Sequence, residues 1–234
     1  TQAPTEPATE APTEPSQTEP ATEPSQPEEK GPFTVTYAHA QADTHGSGEV
    51  WVQLLAEVTN TGSEPLTLGA ADWTVCTPDG TELAVRKGVS AYPQTIEPGE
   101  KGWYYDEFTV DTAQTGELAV QYDGDALAAS VRTAEQGSMR YTVSDVNLKD
   151  SVYGGVELTG RIRNDTAEQG SLVCVAAVLL DESEKPLGVV YTVLGSPLEA
   201  GAETTFGMSS EMLPPEVKSA DIAQVETFAY PLAE

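Results

Sequence analysis

The chain contains 234 residues, and its 38 Asp and Glu against 11 Lys and Arg give a formal net charge of −27. A surface this acidic repels phosphate groups, which makes nucleic acid and anionic membrane headgroups poor partners and favours solubility. The longest apolar run, residues 172–180, is much shorter than the roughly 18 residues of a membrane-spanning helix.

Residues 1–31 are predicted to be a disordered, acidic, Pro-rich linker. The first 30 residues contain seven Pro and seven Glu, and no Val, Ile, Leu, Met, Phe, Tyr or Trp. Without apolar side chains to bury, the segment cannot offset the entropy of ordering its backbone, and its prolines favour an extended spacer. Its composition resembles the spacer that follows the lipidated cysteine of Gram-positive surface lipoproteins. The resemblance implies display on the cell surface through a lipid anchor upstream of Thr1, with secretion or a linker to a further domain as alternatives.

The remaining residues contain two copies of one sequence pattern. Residues 54–60 (LLAEVTN) match residues 158–164 (LTGRIRN). Further along, Glu97-Pro98-Gly99 matches Glu199-Ala200-Gly201. A repeat of this length indicates two tandem domains of ordinary size. We place them at residues 32–135 and 138–234.

Each copy shows the alternation of half-buried antiparallel strands. Apolar residues at the even positions of 50–58 alternate with a more polar set, and the second copy repeats the alternation over 156–163. Turn residues separate the runs, for example Pro78-Asp79-Gly80, whose Asp79 matches Asp181 of the second copy. We find no convincing helix. The pattern predicts an all-β protein of two tandem immunoglobulin-like antiparallel β-sandwiches.

The order of these elements resembles a known class of module. In both copies a strand ends in Asn (EVTNTG and RIRNDT), a second strand ends in an acidic turn (TPDG and LLDESEKPLG), and a Glu-x-Gly loop precedes a further strand. This order resembles the immunoglobulin-like modules of Firmicutes surface lipoproteins, of the FxLYD and telokin-like types, over most of residues 33–234. The resemblance implies extracellular display and supplies no catalytic residues. We interpret Asn60 and Asn164 as turn-forming residues that can adopt the left-handed conformation and bond the backbone.

The two cysteines, Cys76 and Cys174, do not form a CxxC pair and occupy different positions of the two copies. They do not indicate a scaffold built on disulfides. We interpret them as small buried free thiols, with a single inter-domain disulfide as the alternative.

The chain offers few residues for catalysis. Its histidines, His39 and His45, flank a predicted hairpin, and neither a nucleophile motif nor a zinc-binding spacing accompanies them. We expect both to face solvent. Asp and Glu are abundant, but no pair stands out as the acid and base of a hydrolase. We therefore predict that the protein is not an enzyme, with a carboxylate-dependent hydrolase as an alternative.

The acidic turns raise the question of a calcium site. Small extracellular β domains bind it through carboxylates in the loops between strands. The turn Asp123-Gly124-Asp125 is the best candidate, although its spacing differs from that of an EF-hand. We expect no cofactor. The alternative is Ca²⁺ bound by Asp123 and Asp125, which would make the protein a calcium-dependent adhesion or assembly module.

Large aromatic side chains are concentrated in the first copy. It holds all three Trp residues, and its Trp103-Tyr104-Tyr105 run matches the smaller Thr204-Thr205-Phe206 of the second copy. Trp51 lies on the strand face opposite the Val50 and Val52 core positions. Exposed rings stack on sugars or anchor a protein partner, whereas core and edge packing is the alternative. The candidate ligand-binding residues of a non-catalytic display or adhesion module, with an extracellular protein or glycan as partner, are Trp51, Trp103, Tyr104 and Tyr105.

Overall fold

In the computed structural model of the protein, the described residues are 31–44, 49–111, 113, 115–134, 141–152, 155–167, 169, 172–209, 213 and 217–231. The predicted linker lies outside these residues except for Gly31, and so do His45 and the predicted domain boundary at 135–138. Within the described residues, no helix has the length and hydrophobicity needed to span a membrane.

We refer to residues 31–134 as the first half and to residues 141–231 as the second half. The elements of the first half are β1 (Phe33–Thr44), β2 (Val50–Asn60), β3 (Leu66–Leu68), β4 (Ala71–Cys76), β5 (Glu82–Val89), β6 (Ala91–Tyr92), β7 (Thr95–Ile96), β8 (Lys101–Val110), β9 (Gly116–Gln121), α1 (Gly124–Ser130) and β10 (Val131–Thr133). Those of the second half are β11 (Tyr141–Asp150), β12 (Val156–Asn164), β13 (Val173–Leu180), β14 (Pro186–Val193), β15 (Glu203–Ser209), a 3-10 turn (Ser219–Asp221) and β16 (Gln224–Pro231).

The strands form antiparallel sheets in a sandwich-like arrangement, which confirms the predicted all-β class and is compatible with immunoglobulin-like sandwiches. The first half has a sheet of order β5-β4-β9-β1-β2-β8-β6 and a small sheet β10-β3-β7. The second half has two sheets, β11-β12-β15 and β14-β13-β16. Strand β9 explains the long sheet of the first half, because Gly116–Leu118 pair with β1 while Ala119–Gln121 pair with β4. It thereby joins two layers that stay separate in the second half.

Asn60 and Asn164 make the same bonds in the two halves. Each is almost fully buried at the end of its strand, and its amide donates to a backbone carbonyl, that of Ile96 at 3.1 Å or that of Leu198 at 2.9 Å. The backbone oxygen of each accepts from a glycine N–H at 2.9 Å, from Gly99 and from Gly201 respectively. The predicted bonding role is therefore present. The left-handed conformation is not, because neither Asn has a positive φ.

The hairpin turns of the two halves correct the matching made from the sequence. In the first, Thr77 N–H donates to Thr81 O at 2.8 Å, and in the second, Asp181 N–H donates to Lys185 O at 3.0 Å. Asp181 is thus the counterpart of Thr77 and not of Asp79. The positive-φ residues agree with this match, because the third turn residue is Gly80 (φ 88°) in one half and Glu184 (φ 61°) in the other.

Separate apolar clusters fill the two halves. The first contains Trp73, Tyr104 and the inward residues of β2, and the second contains Ile162, Phe206 and the inward residues of β12 and β13. Arg161 is the counterpart of Glu57. Arg161 pairs with Thr205 of β15, and Glu57 pairs with Trp103 of β8, so these pairs establish which residues of β15 correspond to those of β8. The counterparts of Trp103, Tyr104 and Tyr105 are therefore Thr205, Phe206 and Gly207, one position later than the sequence comparison placed them.

Both cysteines are free and buried in this fold. Cys76 is 2% exposed in β4, and Cys174 is 3% exposed in β13. Burial raises the pKa of each thiol. The prediction of buried free thiols is confirmed, and the alternative of a disulfide between them is not formed.

Candidate functional site

The two halves meet through the outer faces of two sheets. Leu55 of β2 and Trp103 of β8 pack against Val178, Leu180 and Val189 of the second half, all at most 5% exposed. We call this cluster the interface. It explains why β13 is buried at every position: its odd-numbered residues fill the core of the second half, and its even-numbered residues face the first half.

Gly188 of β14 allows the two sheets to approach closely. Its φ is 153°, and a Cβ at this position would lie 2.9 Å from Oε1 of Gln53 in β2 and 2.3 Å from Cδ2 of Leu213. Only a residue without a side chain fits between these neighbours.

Ion pairs join the halves at the margins of the interface. Lys185 Nζ lies 2.7 Å from Glu117 Oε1. On the other side, Lys101 Nζ lies 3.0 Å from Glu57 Oε2 and 3.1 Å from Glu226 Oε1 of the second half. Burial opposes the charge of Lys101, but its bonds to Glu57 and Glu226 raise its pKa overall. The pairs connect the two sheets at the margins of the interface, where solvent exposure keeps their contribution to stability small.

The interface opens on one side into a cleft of about 370 Å³, which we call the interface cleft. This volume lies within the range of small-molecule sites. Most of its lining is aromatic or apolar, and both halves contribute to it. The lining residues are Leu55, Tyr92, Trp103, Tyr105, Asp106 and Glu107 from the first half, and Cys174, Ala176, Val189, Tyr191, Val193, Phe228 and Tyr230 from the second.

Aromatic rings from the two halves contact one another across the cleft. The rings of Tyr92 and Tyr230 are stacked with centroids 4.7 Å apart. Those of Tyr105 and Tyr191 meet edge to face at 6.4 Å. Tyr191 is 50% exposed, so its ring is open to solvent at the rim of the cleft. The arrangement offers flat apolar surfaces with hydroxyl groups at their edges, which suits stacking against a ligand.

Two acidic residues of β8, Asp106 and Glu107, are among the lining residues, but their carboxylates lie on opposite faces of the strand and have different partners. Asp106 pairs with Arg86, whose Nε lies 2.5 Å from Oδ2. Glu107 accepts from Tyr105 Oη and, at 3.4 Å, from Gln53 Nε2. Burial raises the pKa of Glu107, and the bond from Gln53 lowers it only in part. The two acids do not converge on a common point, because neighbouring strand residues lie on opposite faces.

The structure separates the four candidate aromatic residues. Trp103 and Tyr105 line the interface cleft. Tyr104 does not, because it is fully buried in the first core, where its hydroxyl donates to Gly69 O at 2.8 Å and its ring lies 5.1 Å from that of Trp73. Trp51 is half-buried between Asp43 and Thr109 and lies outside the cleft lining. The period of two along β8 places Trp103 and Tyr105 on the face that lines the cleft and Tyr104 on the core face.

Asp123 and Asp125 belong to a helix start and not to a turn. The side chain of Asp123 caps α1 by accepting from the N–H groups of Asp125 and Ala126, at 2.9 and 3.1 Å. Within the described residues, no group of three or more His, Cys, Asp or Glu side chains is placed to hold a metal ion. Asp123 thus has a structural role as the helix cap, and Asp125 lies in the first turn of α1.

His39 differs from the expectation that it faces solvent. Its side chain is 13% exposed and lies beside the ring of Tyr37 on β1, with Nδ1 3.4 Å from Glu117 Oε1. Burial lowers its pKa, while Glu117 acts in the opposite direction. The residue takes part in the margin of the interface through Glu117.

The rings that the second half contributes were not predicted. Phe228 and Tyr230 alternate along β16, and Tyr191 lies on β14. A signal for the covered face was present, because residues 172–180 contain no polar side chain to face solvent, which is typical of a strand buried on both faces. The sequence did not reveal which sheet would cover it.

A second groove of about 510 Å³ lies on the other side of Trp103. It contains Lys101 and Glu226, which already pair with each other at 3.1 Å. The interface cleft has the larger set of rings and is therefore the stronger candidate for ligand binding.

Comparisons with known proteins give weak similarities only. No protein-family model matches the chain, and no curated protein matches it. Solved structures of Bacteroides uniformis beta-glucuronidase 2 include a calcium-binding mutant, with 13% identity, 82% coverage of this chain, 26% coverage of that chain and a TM-score of 0.25. The same enzyme covalently bound to cyclophellitol-6-carboxylate aziridine has 14% identity, coverages of 83% and 25%, and a TM-score of 0.25.

A beta-glucuronidase from glycoside hydrolase family 2 is similar at 9% identity, over 79% of this chain and 20% of that chain, with a TM-score of 0.20. This chain therefore spans about a quarter or less of the length of these enzymes. They contain sandwich-like domains. At such TM-scores the similarity establishes neither a shared function nor membership of a family, and no match supports the FxLYD or telokin-like assignment.

Proposed function

We propose that the protein is a non-catalytic binding module displayed outside a cell, and that the interface cleft is its ligand site. The observation that carries this proposal is the set of aromatic rings brought together by the two halves, with Trp103 and Tyr105 on one side and Tyr191 and Tyr230 on the other. Rings of this kind stack on sugar rings or anchor a protein partner. The ligand is therefore an extracellular glycan or protein.

The exposure of the cleft rim supports binding over a purely structural role. Tyr191 and Val193 are 50% and 42% exposed, whereas Leu55 and Val178 in the adjoining interface are nearly inaccessible. A buried contact between halves needs no exposed rings at its edge. A patch of apolar side chains beside a cleft is typical of a surface that receives a partner.

The carboxylates support a binding role over hydrolysis. A glycoside hydrolase requires two carboxyl groups facing each other across the scissile bond. Here Asp106 is held by Arg86, and Glu107 is bonded to Tyr105 and Gln53. With these partners, the pair is arranged to shape the cleft and not to flank a bond.

Display at the cell surface is proposed from the sequence. The Pro- and Glu-rich composition of residues 1–31 suits an extended spacer that holds the sandwiches away from a membrane. Its resemblance to the spacers of Gram-positive lipoproteins suggests N-terminal lipidation as the anchor. The strand and turn order shared with FxLYD and telokin-like modules is in line with this location. Nucleic acid is not a proposed partner, because the net charge is −27.

The test is a glycan array combined with an array of purified surface proteins, probed with three forms of the chain. The wild type should bind at least one probe. Tyr191→Ala should lose that binding, because it removes an exposed ring from the cleft without opening a core. Val152→Ala, at a residue that is 87% exposed and outside the cleft lining, is the matched control and should bind like the wild type. Equal binding by Tyr191→Ala and the wild type would exclude the interface cleft as the site.

A further inference from the structure

The charge balance of the interface cleft is one-sided. Among the described residues that line it, Asp106 and Glu107 are acidic and none is Lys, Arg or His. Arg86 compensates the charge of Asp106 at 2.5 Å. The partners of Glu107 in the described part of the chain, the Tyr105 hydroxyl and the Gln53 amide, are both neutral. The cleft thus holds one carboxylate whose charge is not balanced by a cation.

Two tyrosines of the cleft lining are associated with this carboxylate. Tyr105 donates to Glu107 directly, and its ring lies 6.4 Å from that of Tyr191. Glu107 and Tyr191 both line the cleft, and the negative charge of Glu107 contributes, after burial, to the raised pKa of Tyr191. The two rings and the Glu107 side chain line the same cleft. A cation placed there gains from the rings and from the carboxylate together.

The chemistry of the lining selects among cations. A calcium or magnesium ion requires several oxygen ligands at short distance, and the described residues provide no such group here. An organic ammonium ion has a large, weakly hydrated surface that suits aromatic faces, and methylated ammonium groups are the usual ligands of aromatic cages. The net charge of −27 further raises the concentration of cations near the surface.

We propose that the interface cleft binds a small methylated ammonium compound of the choline type, with Glu107 as counter-ion and the rings of Tyr105 and Tyr191 against the methyl groups. This proposal rests on the proposed function for the position of the site, and it names a small cationic molecule as the ligand in place of the glycan or protein considered above. The ammonium group lies beside Glu107, and the remainder of the molecule extends along the rings towards Tyr230 and Tyr92.

The probes for the test are choline and 3,3-dimethylbutan-1-ol, which has the same shape without the charge. Binding to the full chain is measured by calorimetry and by tryptophan fluorescence, since Trp103 lies in the lining. Choline should bind at least about tenfold more tightly than the neutral compound, a ratio that corresponds to the free energy of one cation–π and charge contact. Equal affinities for the two compounds would overturn the proposal.

Glu107→Gln is the decisive variant, because it keeps the size and hydrogen bonding of the side chain and removes its charge. It should weaken choline binding by about tenfold and leave the affinity for the neutral compound unchanged. The matched control is Glu82→Gln, which removes a charge from an exposed residue of β5. It should bind choline like the wild type. Equal weakening by both variants would mean that only the overall charge of the protein acts.

A third probe separates a small molecule from a protein side chain. A lysine-containing peptide that binds in a Glu107-dependent manner, with no binding of choline, would overturn the proposal of a small ligand. If choline fails but the glycan or protein arrays bind in a Tyr191-dependent manner, the ammonium proposal is wrong and the proposed function stands. If Tyr191→Ala changes none of these measurements, the site itself is refuted.

Discussion

Replacement of Leu55 by Ala tests whether the two halves are docked. Leu55 lies on the outer face of β2 and is 5% exposed, because Val178, Leu180 and Val189 cover it. The change removes three carbon atoms. At about 0.8 kcal/mol for each buried carbon, the transfer contribution is about 2.4 kcal/mol. The cavity that remains brings the expected loss of unfolding free energy to about 2–5 kcal/mol.

The assay is urea denaturation of the full chain, followed by tryptophan fluorescence. The control is Val85→Ala, since Val85 is 42% exposed on β5 and outside the interface. An exposed change of this kind should alter the free energy of unfolding by no more than about 0.5 kcal/mol. If Leu55→Ala and Val85→Ala cost the same, the outer face of β2 is open to solvent in solution, and both the interface and its cleft are refuted.

Three further results are expected. Asn60→Ala and Asn164→Ala should each lower the free energy of unfolding by about 1–3 kcal/mol in urea titrations, because each leaves buried backbone groups without partners, whereas the exposed Asn147→Ala should have little effect. Asp123→Ala should cost about 1 kcal/mol through loss of the α1 cap. The wild-type melting temperature should be equal in excess calcium and in EDTA, and a calcium-dependent rise would support the alternative of a calcium site. Stability should fall as the pH drops below about 6.5, because burial lowers the pKa of His39 in the folded state and the unfolded chain then binds more protons. His39→Gln should therefore reduce the difference between the urea midpoints at about pH 7.5 and about pH 5.5. An unchanged difference would show that other groups cause the pH dependence.

The fold class could be predicted because each half repeats a strong local signal. The alternation over residues 156–163 reflects a strand with one solvated face, and β12 has that burial pattern. The helix α1 could not be predicted, because GDALAAS is only seven residues long and its cap, Asp123, also suits a turn. The match of Asp79 with Asp181 was wrong because it relied on residue identity alone. Identical residues do not mark equivalent turn positions here, because the turn requires a positive φ at its third residue, which Glu184 adopts without any sign in the sequence.

The candidate site could be predicted only on one side. The period of two placed Trp103 and Tyr105 on a common face, and both line the cleft. Tyr104 lies between them, and the same period of two places it on the core face, where it is fully buried. The rings of Tyr191 and Tyr230 come from the other half of the chain. Their approach depends on the docking of two sheets, which alternation within a strand does not encode.

The docking also accounts for the unequal aromatic content of the two copies. Leu55 and Trp103 correspond to Thr159 and Thr205 of the second half. The former pair is buried in the interface, and the latter pair is exposed on a face where Arg161 forms an ion pair with Glu203. One fold thus carries two different outer faces, one suited to water and one to a second sheet.

Because the cleft takes its rings from both halves, neither half alone contains the site. Trp103 and Tyr105 would lose the facing rings of Tyr191 and Tyr230 if the sheets separated. Ligand binding and docking are then linked: a ligand that binds only the docked form stabilises the interface by mass action. Leu55→Ala should therefore weaken ligand binding as well as stability, and a saturating ligand should recover part of the lost stability.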